Sequence, residues 1–251
     1  MLLKQIVDSL NNFLKSEDIA DYCPNGLQIA NSGVVHKVCT AVTASLEAIE
    51  GAAQLGANLL LVHHGYFWKG ESHPIVDMKY HRIAALMKHD IALVAYHLPL
   101  DIHPVLGNNA EIGRHLGLKI KEWGRPDGRL PLVALSEYPE GQDLDRVVQQ
   151  CELIFRRTPL VIAGGTHPIR RITWCSGGAQ DYILEAKKMG ADAYISGEVS
   201  ERTYYQAREL GIHYLACGHH ATERFGIQAL GEWLHQQFKL PVTFLESENP
   251  V

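Results

Sequence analysis

The stretch of sequence that decides the fold occurs twice in this chain. VCTAVTASLEAIEGAAQLGANLLLVHHG (Val38–Gly65) aligns without gaps on ITWCSGGAQDYILEAKKMGADAYISGEV (Ile172–Val199). Each copy contains a strand-like run, a small-residue turn, an amphipathic helix, a Gly-Ala pair, a second strand-like run and a polar pair. Two copies of one strand–helix–strand unit predict an internally duplicated fold.

The segments that follow the two copies also correspond. DIALVAYHLPLD ends in His97-x-x-x-Asp101, and GIHYLACGHHATE ends in His219-x-x-x-Glu223. Any two strand–helix–strand units share a core pattern, and the sequence identity here is low, so chance similarity is the alternative. A repeated core pattern does not supply matching His-x-x-x-carboxylate pairs. This correspondence therefore favours true duplication.

Strand-like runs alternate with amphipathic stretches along the chain, which is typical of α/β proteins with parallel or mixed sheets. The strand-like runs are Val34–Val42, Leu59–Val62, Ile91–Tyr96, Ile172–Cys175, Ala193–Ile195, His213–Cys217 and Val242–Leu245. The helical stretches are Leu46–Leu55, Met78–Lys88, Tyr182–Met189, Glu201–Leu210 and Thr222–Phe238. We expect an α/β fold of two similar halves, residues 1–123 and 124–251, with mixed sheets packed around a central, metal-containing cleft. One intertwined domain built from both halves is the alternative. Residues 124–166 are richer in Pro and Gly, and we interpret them as a connecting region or insertion.

Composition excludes several classes of protein. The 251 residues are 46% hydrophobic and 20% charged, as in ordinary globular proteins. A formal net charge of −5 argues against a broad basic surface for nucleic acid or an acidic membrane. No window approaches the roughly 20 apolar residues of a membrane span, and the N-terminal stretch lacks the features of a signal peptide. Five scattered cysteines without a C-x-x-C pair favour a reducing, cytoplasmic location, and we interpret all five as structural.

The first candidate site residues are His63 and His64, which follow a buried-looking strand directly and precede Gly65. Ligands gather at the carboxyl ends of strands in open α/β sheets. Two adjacent imidazoles can each serve a metal if the chain turns at Gly65, whereas on a continuing strand they point to opposite faces. One buried and one exposed histidine is an equally open alternative.

His97 and Asp101 close the next strand, in YHLPLD. Pro99 lies between them and is expected to prevent a simple helix, so their spacing does not guarantee a shared face. It does indicate a tight turn that projects polar groups from the strand end. Taken alone, Asp101 is more often a turn or capping residue.

His219 and Glu223 lie in CGHHATER, after a strand and at the start of a long amphipathic helix. If that helix begins near His220, residues four apart lie on one face, as a shared metal requires. Glu223 can then bridge two cations, and His220 is a supporting or capping residue. The alternative makes Glu223 a capping-box acid.

Three strand ends thus supply nitrogen and oxygen donors without cysteine. Such a set suits divalent Zn, Mn, Fe, Ni or Mg. Two ions about 3.5–4 Å apart would activate water for attack on carbon or phosphorus. The chemistry favours a dinuclear hydrolytic centre.

Other residues carry weaker indications. Glu198 occupies the repeat position of His64, which makes it a supporting or acid–base candidate. The run Tyr66–Lys69 can line a pocket or pack as an ordinary loop. Ser176-Gly177-Gly178 can hold an anion on backbone N–H groups or simply form a tight turn. Asn25 is most simply a turn residue.

Six motifs resemble one family. They are DYCPNGLQ, LVHHGYFWKG, HLPLDIHPVLGNN, WCSGGAQ, ADAYISGEVSE and GHHATERFG. Together they are similar to the bacterial YbgI-like branch of the NGG-one-interacting-factor-three family, whose members are also named type 2 GTP cyclohydrolase I homologues. The resemblance runs from about residue 21 to 232 and is weakest between 121 and 169. Many members carry proline after the histidine pair, where this chain has Gly65.

The resemblance implies a dinuclear metal site, a duplicated α/β fold and a ring-shaped homohexamer. The implied metal ligands are His63, His64, Asp101, His219 and Glu223. Glu223 is the expected bridge, and His97 is a nearby site histidine. His97 and Glu198 are accordingly our candidates for acid–base catalysis.

Three hypotheses for the function follow. The first is a metal-dependent hydrolase acting on a nucleotide, such as GTP, by attack of activated water on the purine ring. The second is a phosphoesterase or amidohydrolase with the same centre. The third is a metal-binding hexameric adaptor or metal-handling protein without turnover.

Overall fold

The computed structural model describes residues 1–251 and divides into two compact units. The first unit comprises Met1–Leu100 and Gly226–Glu248, and the second comprises Asp101–Phe225 and Asn249–Val251. The strands are β1 (Gly26–Ile29), β2 (Val38–Thr43), β3 (Leu59–His64), β4 (Ala92–Ala95), β5 (Glu122–Gly124), β6 (Val133–Gln142), β7 (Leu160–Ile162), β8 (Ile169–Trp174), β9 (Ala193–Ser196), β10 (His213–Ala216) and β11 (Val242–Phe244). The helices are α1 (Leu3–Leu14), α2 (Leu46–Gln54), α3 (Asp77–Lys88), α4 (Leu98–Asp101), α5 (Asn108–His115), α6 (Leu144–Phe155), α7 (Ile183–Lys188), α8 (Glu201–Leu210), α9 (His219–Thr222) and α10 (Arg224–Phe238).

The first unit contains a five-stranded sheet in the order β1-β4-β3-β2-β11. The strands β4, β3, β2 and β11 are parallel, and β1 pairs antiparallel with β4 at one edge. The central strands are buried along most of their length because helices cover a parallel sheet. Their carboxyl ends therefore open at one edge of the sheet.

The second unit contains a six-stranded sheet in the order β5-β6-β8-β9-β10-β7. The strands β8, β9 and β10 are parallel, whereas β7 and β6 pair antiparallel on either side of them. Trp174 at the end of β8 is fully buried, and its indole Nε1 donates to the Asn109 carbonyl at 2.8 Å. This hydrogen bond ties the start of α5 to the carboxyl end of β8.

The two sheets repeat one topology, which confirms a duplicated α/β fold with mixed sheets. The order β1-β4-β3-β2 in the first unit is the order β7-β10-β9-β8 in the second, including the antiparallel edge strand. The registers also match the gapless sequence alignment. Val38 pairs with Leu59 in the first sheet, and the aligned residues Ile172 and Ala193 pair in the second.

The units do not divide at residue 123, where the sequence placed the boundary. Residues 101–123 belong to the second unit, and 226–248 return to the first. The return has a structural cause, since β11 adds to the first sheet by parallel pairing with β2. The expected connecting region 124–166 contains β6, α6 and β7, so most of it is part of the second sheet and its cover.

None of the helices combines the length and apolar composition needed to cross a membrane.

Candidate metal centre

The histidine pair lies at the carboxyl end of β3. The strand continues through His64, yet the two rings lie 4.5 Å apart between centroids instead of on opposite faces. His63 is buried and its Nδ1 lies 2.9 Å from the Tyr96 carbonyl oxygen. His64 is half-buried, and its Nδ1 lies 3.2 Å from Thr43 Oγ1. Both rings are thus oriented through Nδ1.

Gly65, in the turn after the pair, leaves room for the side chain of Gln28. A Cβ on Gly65 would lie 2.2 Å from Gln28 Oε1 and 2.7 Å from the Ala95 Cβ. Gln28 Oε1 accepts from the Tyr66 N–H at 2.7 Å, and its Nε2 donates to the Tyr66 carbonyl at 3.1 Å. The amide of Gln28 therefore clamps this turn and fixes the path of the chain beyond His64.

His97 follows β4 and completes a group of three imidazoles. One nitrogen each from His63, His64 and His97 lie within 4.8 Å of one another. His97 Nδ1 lies 3.0 Å from Asp21 Oδ1, and its backbone N–H donates to Asn25 Oδ1 at 2.8 Å. Asn25, interpreted from the sequence as a turn residue, is thus a direct support of His97.

Asp21 is the centre of this support. Besides His97 it accepts from the Leu98 N–H at 2.9 Å and from Asn25 Nδ2 at 3.0 Å. Burial favours protonation of this carboxyl, but the hydrogen bond from His97 and these further donors outweigh it and lower its pKa. A thiol sulfur from Cys23 also lies within 4.8 Å of Asp21 and His97. Because Asp21 already accepts several hydrogen bonds, its role is to position His97.

Asp101 ends the short helix α4, which begins at Leu98. The expectation that Pro99 prevents a helix here is wrong, because proline is tolerated in a first turn, where its missing N–H has no helical partner. Asp101 Oδ1 accepts from Asn108 Nδ2 at 2.8 Å and from Ser176 Oγ at 3.1 Å. These buried donors fix the orientation of the carboxylate.

His219 and Glu223 lie together, as the four-residue spacing predicted. α9 begins at His219 and the chain kinks at Glu223 before α10, and His219 Nε2 lies 3.2 Å from Glu223 Oε2. His219 Nδ1 lies 2.6 Å from Glu198 Oε1. Burial opposes a charge on this imidazole, but the hydrogen bonds and charges of Glu223 and Glu198 outweigh burial and raise the pKa of His219 to about 9. Glu198 thus orients His219, the supporting role of its two predicted roles.

Glycines make room for these side chains. A Cβ on Gly177 would lie 2.2 Å from Glu223 Oε1. A Cβ on Gly197 would lie 2.6 Å from the Gly177 carbonyl oxygen and 2.8 Å from the His219 Cα. The anion interpretation of this turn is wrong for two of its N–H groups. Ser176 N donates to Asn109 Oδ1 and Gly177 N to Thr222 Oγ1, both at 2.9 Å.

The supporting residues were largely missed by sequence reasoning. They are Asp21, Gln28, Thr43, Asn108 and Asn109. All except Thr43 lie in motifs noted for resemblance, DYCPNGLQ and HLPLDIHPVLGNN, but residue type alone did not indicate which strand end each would support.

The arrangement of these residues fits divalent metal ions. Metal-binding histidines usually engage a carboxylate, carbonyl or hydroxyl through the ring nitrogen that does not bind the ion, which fixes tautomer and orientation. Each of the four site histidines has such a contact at Nδ1: a carbonyl for His63, a hydroxyl for His64 and carboxylates for His97 and His219. An ion bound by these rings would then be coordinated through Nε2. Two buried carboxylates, Asp101 and Glu223, add the oxygen donors.

Comparison with known proteins places this chain in a family. The sequence model of Duf34/NIF3 (NGG1p interacting factor 3) matches residues 1–250. A protein of Pseudomonas aeruginosa named GTP cyclohydrolase 1 type 2 homolog is 45% identical over 99% of this chain and 98% of its own length. A Vibrio cholerae protein of the same name is 48% identical over 98% of each chain. The solved structure of protein ybgI, described as of unknown function, matches with a TM-score of 0.95 and 44% identity over 100% of both chains. The chain belongs to the Duf34/NIF3 family.

Proposed function

We propose that this protein is a metal-dependent hydrolase with a dinuclear centre that acts on a nucleotide. The residues that would hold the two ions are His63, His64, Asp101, His219 and Glu223, and Glu223 is expected to bind both. The observation that carries the proposal is the common orientation of the site imidazoles, each of which has a polar contact at Nδ1. The rings also cluster, since one nitrogen each from His63, His64 and His97 lie within 4.8 Å of one another.

Two divalent ions held by these residues supply Lewis-acid catalysis and activate water as a nucleophile. Zn, Mn, Fe, Ni and Mg all fit the nitrogen and oxygen donors. The protein's own contribution is to hold the donors in place. His219 carries a proton near neutral pH in the metal-free protein, so metal binding displaces that proton and metal affinity rises with pH.

His97 and Glu198 have different roles in this proposal. The ring of His97 is anchored by Asp21, and its Nε2 lies 3.5 Å from the Tyr22 hydroxyl. It is the candidate to accept or donate a proton at Nε2. The carboxylate of Glu198 is engaged with His219 Nδ1 at 2.6 Å, so Glu198 is a positioning residue.

The reaction is a proposal supported by the name of the curated relatives, GTP cyclohydrolase 1 type 2 homolog. Hydrolytic opening of the purine ring with release of formate uses the nucleophile that such a centre generates. Phosphoester or amide hydrolysis, and metal handling without turnover, are the alternatives. Homohexameric assembly and a cytoplasmic location stay predictions.

The test is a nucleotide panel on protein loaded in turn with each of the five metals. We expect formate release from GTP that Glu223→Ala abolishes and His36→Ala retains. His36 is the control because it is exposed and its ring lies beside the Gly56 carbonyl. If wild type releases no formate from GTP with each of the five metals in turn, the cyclohydrolase assignment fails. Phosphate or amine release in the same panel would identify one of the other hydrolases.

A further inference from the structure

Two aromatic side chains, Tyr22 and Trp68, flank the imidazoles of the first unit; we call them the aromatic wall. Trp68 lies 5.1 Å from His97 and 5.9 Å from His64 between ring centroids. Tyr22 lies 4.9 Å from His97 at an interplanar angle of 73° and 5.7 Å from Trp68 at 37°. The wall therefore continues directly from the two histidines.

The loop that carries Trp68 is built to hold it in one place. The residue before it, Phe67, has a φ of 66°, a left-handed conformation that costs a non-glycine residue free energy. Glu71 Oε2 accepts from the Phe67 N–H at 2.9 Å and from the Trp68 N–H at 3.2 Å, and Lys79 pairs with Glu71 at 3.3 Å. The indole Nε1 donates to the Gly65 carbonyl at 3.2 Å. Such strain persists only where surrounding contacts maintain it, and it concentrates at functional sites.

The other half of the wall is tied to the same loop. The Lys69 N–H donates to the Tyr22 carbonyl at 2.7 Å, and the Tyr22 N–H donates to Asp21 Oδ1 at 2.7 Å. Asp21 is the residue that anchors His97. The backbone of Tyr22 is thus fixed, whereas the residue as a whole is 53% exposed. A fixed, exposed aromatic ring beside buried imidazoles is a stacking platform.

We propose that the aromatic wall of Tyr22 and Trp68 binds the base of a free purine nucleotide and holds it beside His64 and His97. This inference rests on the proposed function and names its substrate class. A fused heteroaromatic ring offers the large flat surface that stacks on tyrosine and tryptophan. The net charge of −5 opposes a long polyanion, so the ligand is a single nucleotide instead of a nucleic-acid strand.

The test uses the 251-residue chain freed of metal with a chelator, so that binding is measured independently of metal and turnover. The probes are GMP and ribose 5-phosphate, which lacks the base, and calorimetry gives both affinities. We expect wild type to bind GMP at least tenfold more tightly than ribose 5-phosphate. Tyr22→Leu weakens GMP binding by roughly tenfold, the usual effect of removing one stacked ring, without changing ribose 5-phosphate binding. The metal content of Tyr22→Leu after reloading stays at the wild-type value, which separates this test from that of the metal site.

Two controls make the result specific. Tyr22→Phe retains the ring and is expected to bind GMP within twofold of wild type. Tyr205→Leu removes a tyrosine of matching exposure, 54%, from α8 and is also expected to have no effect. Equal affinity of wild type for GMP and ribose 5-phosphate, or unchanged GMP binding by Tyr22→Leu, would overturn the proposal. So would tighter binding of a single-stranded oligonucleotide than of GMP.

A ¹⁹F measurement on the wild-type chain tests the proposal even if the Tyr22 variants misfold. Wild type labelled with 5-fluorotryptophan gives one ¹⁹F resonance for each of its four tryptophans, and Trp68→Phe assigns that of Trp68. GMP is expected to shift the Trp68 resonance, and ribose 5-phosphate to leave it in place. A Trp68 resonance that does not respond to saturating GMP would contradict the proposal.

Discussion

The two copies of the repeat place different residues at the same strand end. β3 ends in His63-His64, and the aligned positions after β9 are Gly197-Glu198. The register with the neighbouring strand is the same in both sheets, so the difference is chemical. In the first unit both residues are candidate ligands, whereas in the second Glu198 orients His219.

The space around each strand end explains the difference. A Cβ at Gly197 would approach the Gly177 carbonyl oxygen, the His219 Cα and Thr222 Oγ1 within 2.9 Å. No histidine can occupy that position while the α9 turn lies so close. Both copies thus share the scaffold, and the packing of the α9 turn explains why only the first copy has adjacent histidines at this strand end.

The largest expected effect comes from breaking this packing. Gly197→Ala places a methyl group among backbone atoms that cannot move independently, and we expect it to lower the free energy of unfolding by about 3 kcal/mol. Gly51→Ala is the matched control, because its Cβ would meet Leu245 at an ordinary 3.5 Å inside α2. It should raise stability by about 0.5–1 kcal/mol. Urea denaturation of both variants checks this, and equal stability of Gly197→Ala and wild type would contradict the packing account.

The second prediction compares the carboxylates that hold a histidine in each unit. The Asp21 side chain is 2% exposed and accepts several hydrogen bonds, whereas that of Glu198 is 38% exposed and accepts from His219. In the metal-free protein, we expect Asp21→Ala to lower the free energy of unfolding by about 2–3 kcal/mol. Glu198→Ala should lower it by no more than about 1 kcal/mol. Denaturant midpoints with unchanged slopes give both values. A larger loss of stability in Glu198→Ala than in Asp21→Ala would contradict the expectation that the more buried carboxylate contributes more.

The third prediction is that His219 and Asp21 lose their contributions to the free energy of unfolding at opposite ends of the pH scale. His219 has a pKa raised to about 9, above an unfolded value of about 6.5. Its stabilisation is fully present below about pH 6.5 and is lost as the pH rises through about 9. Asp21 has a lowered pKa, so its contribution is present above about pH 4 and is lost in acid.

Denaturation of metal-free protein across pH measures this response. We expect the free energy of unfolding of wild type to fall at alkaline pH by an amount on the order of 1–2 kcal/mol, a value discounted for solvent screening. The variant His219→Asn should not show this fall. The loss of stability in acid should persist in that variant and become smaller in Asp21→Asn, since other carboxyls with lowered pKa values, such as Asp127 and Asp181, remain. If the free energy of unfolding falls by the same amount at alkaline pH in His219→Asn and in wild type, a group other than His219 titrates there.

The sequence predicted the scaffold because its signals are local. The Gly-Ala pair before the second strand and the alternation of apolar runs depend on neighbouring residues, and both copies show them. The candidate ligands were also predictable, since parallel strands end at one edge of a sheet. The short helix ending at Asp101 was missed because Pro99 was weighted as a helix breaker regardless of its place in the first turn.

The supporting contacts could not be predicted in the same way. Asp21 and His97 are 76 residues apart, and Gln28 and Tyr66 are 38 apart. Loop residues at such separations meet only when the sheet has formed, and Asp, Asn and Gln have many other uses in turns. The division of the chain was misplaced for a similar reason, because β11 pairs with β2 about 200 residues away in sequence.

The proposed function depends on the binding of two metal ions by His63, His64, Asp101, His219 and Glu223. Inductively coupled plasma mass spectrometry of reconstituted, desalted protein tests it most directly, on wild type, His63→Ala, His219→Ala and the control His36→Ala. The account predicts about two ions per chain in wild type and His36→Ala, and a loss of about one or more in each of the other two variants. Wild-type metal content in both His63→Ala and His219→Ala would contradict it.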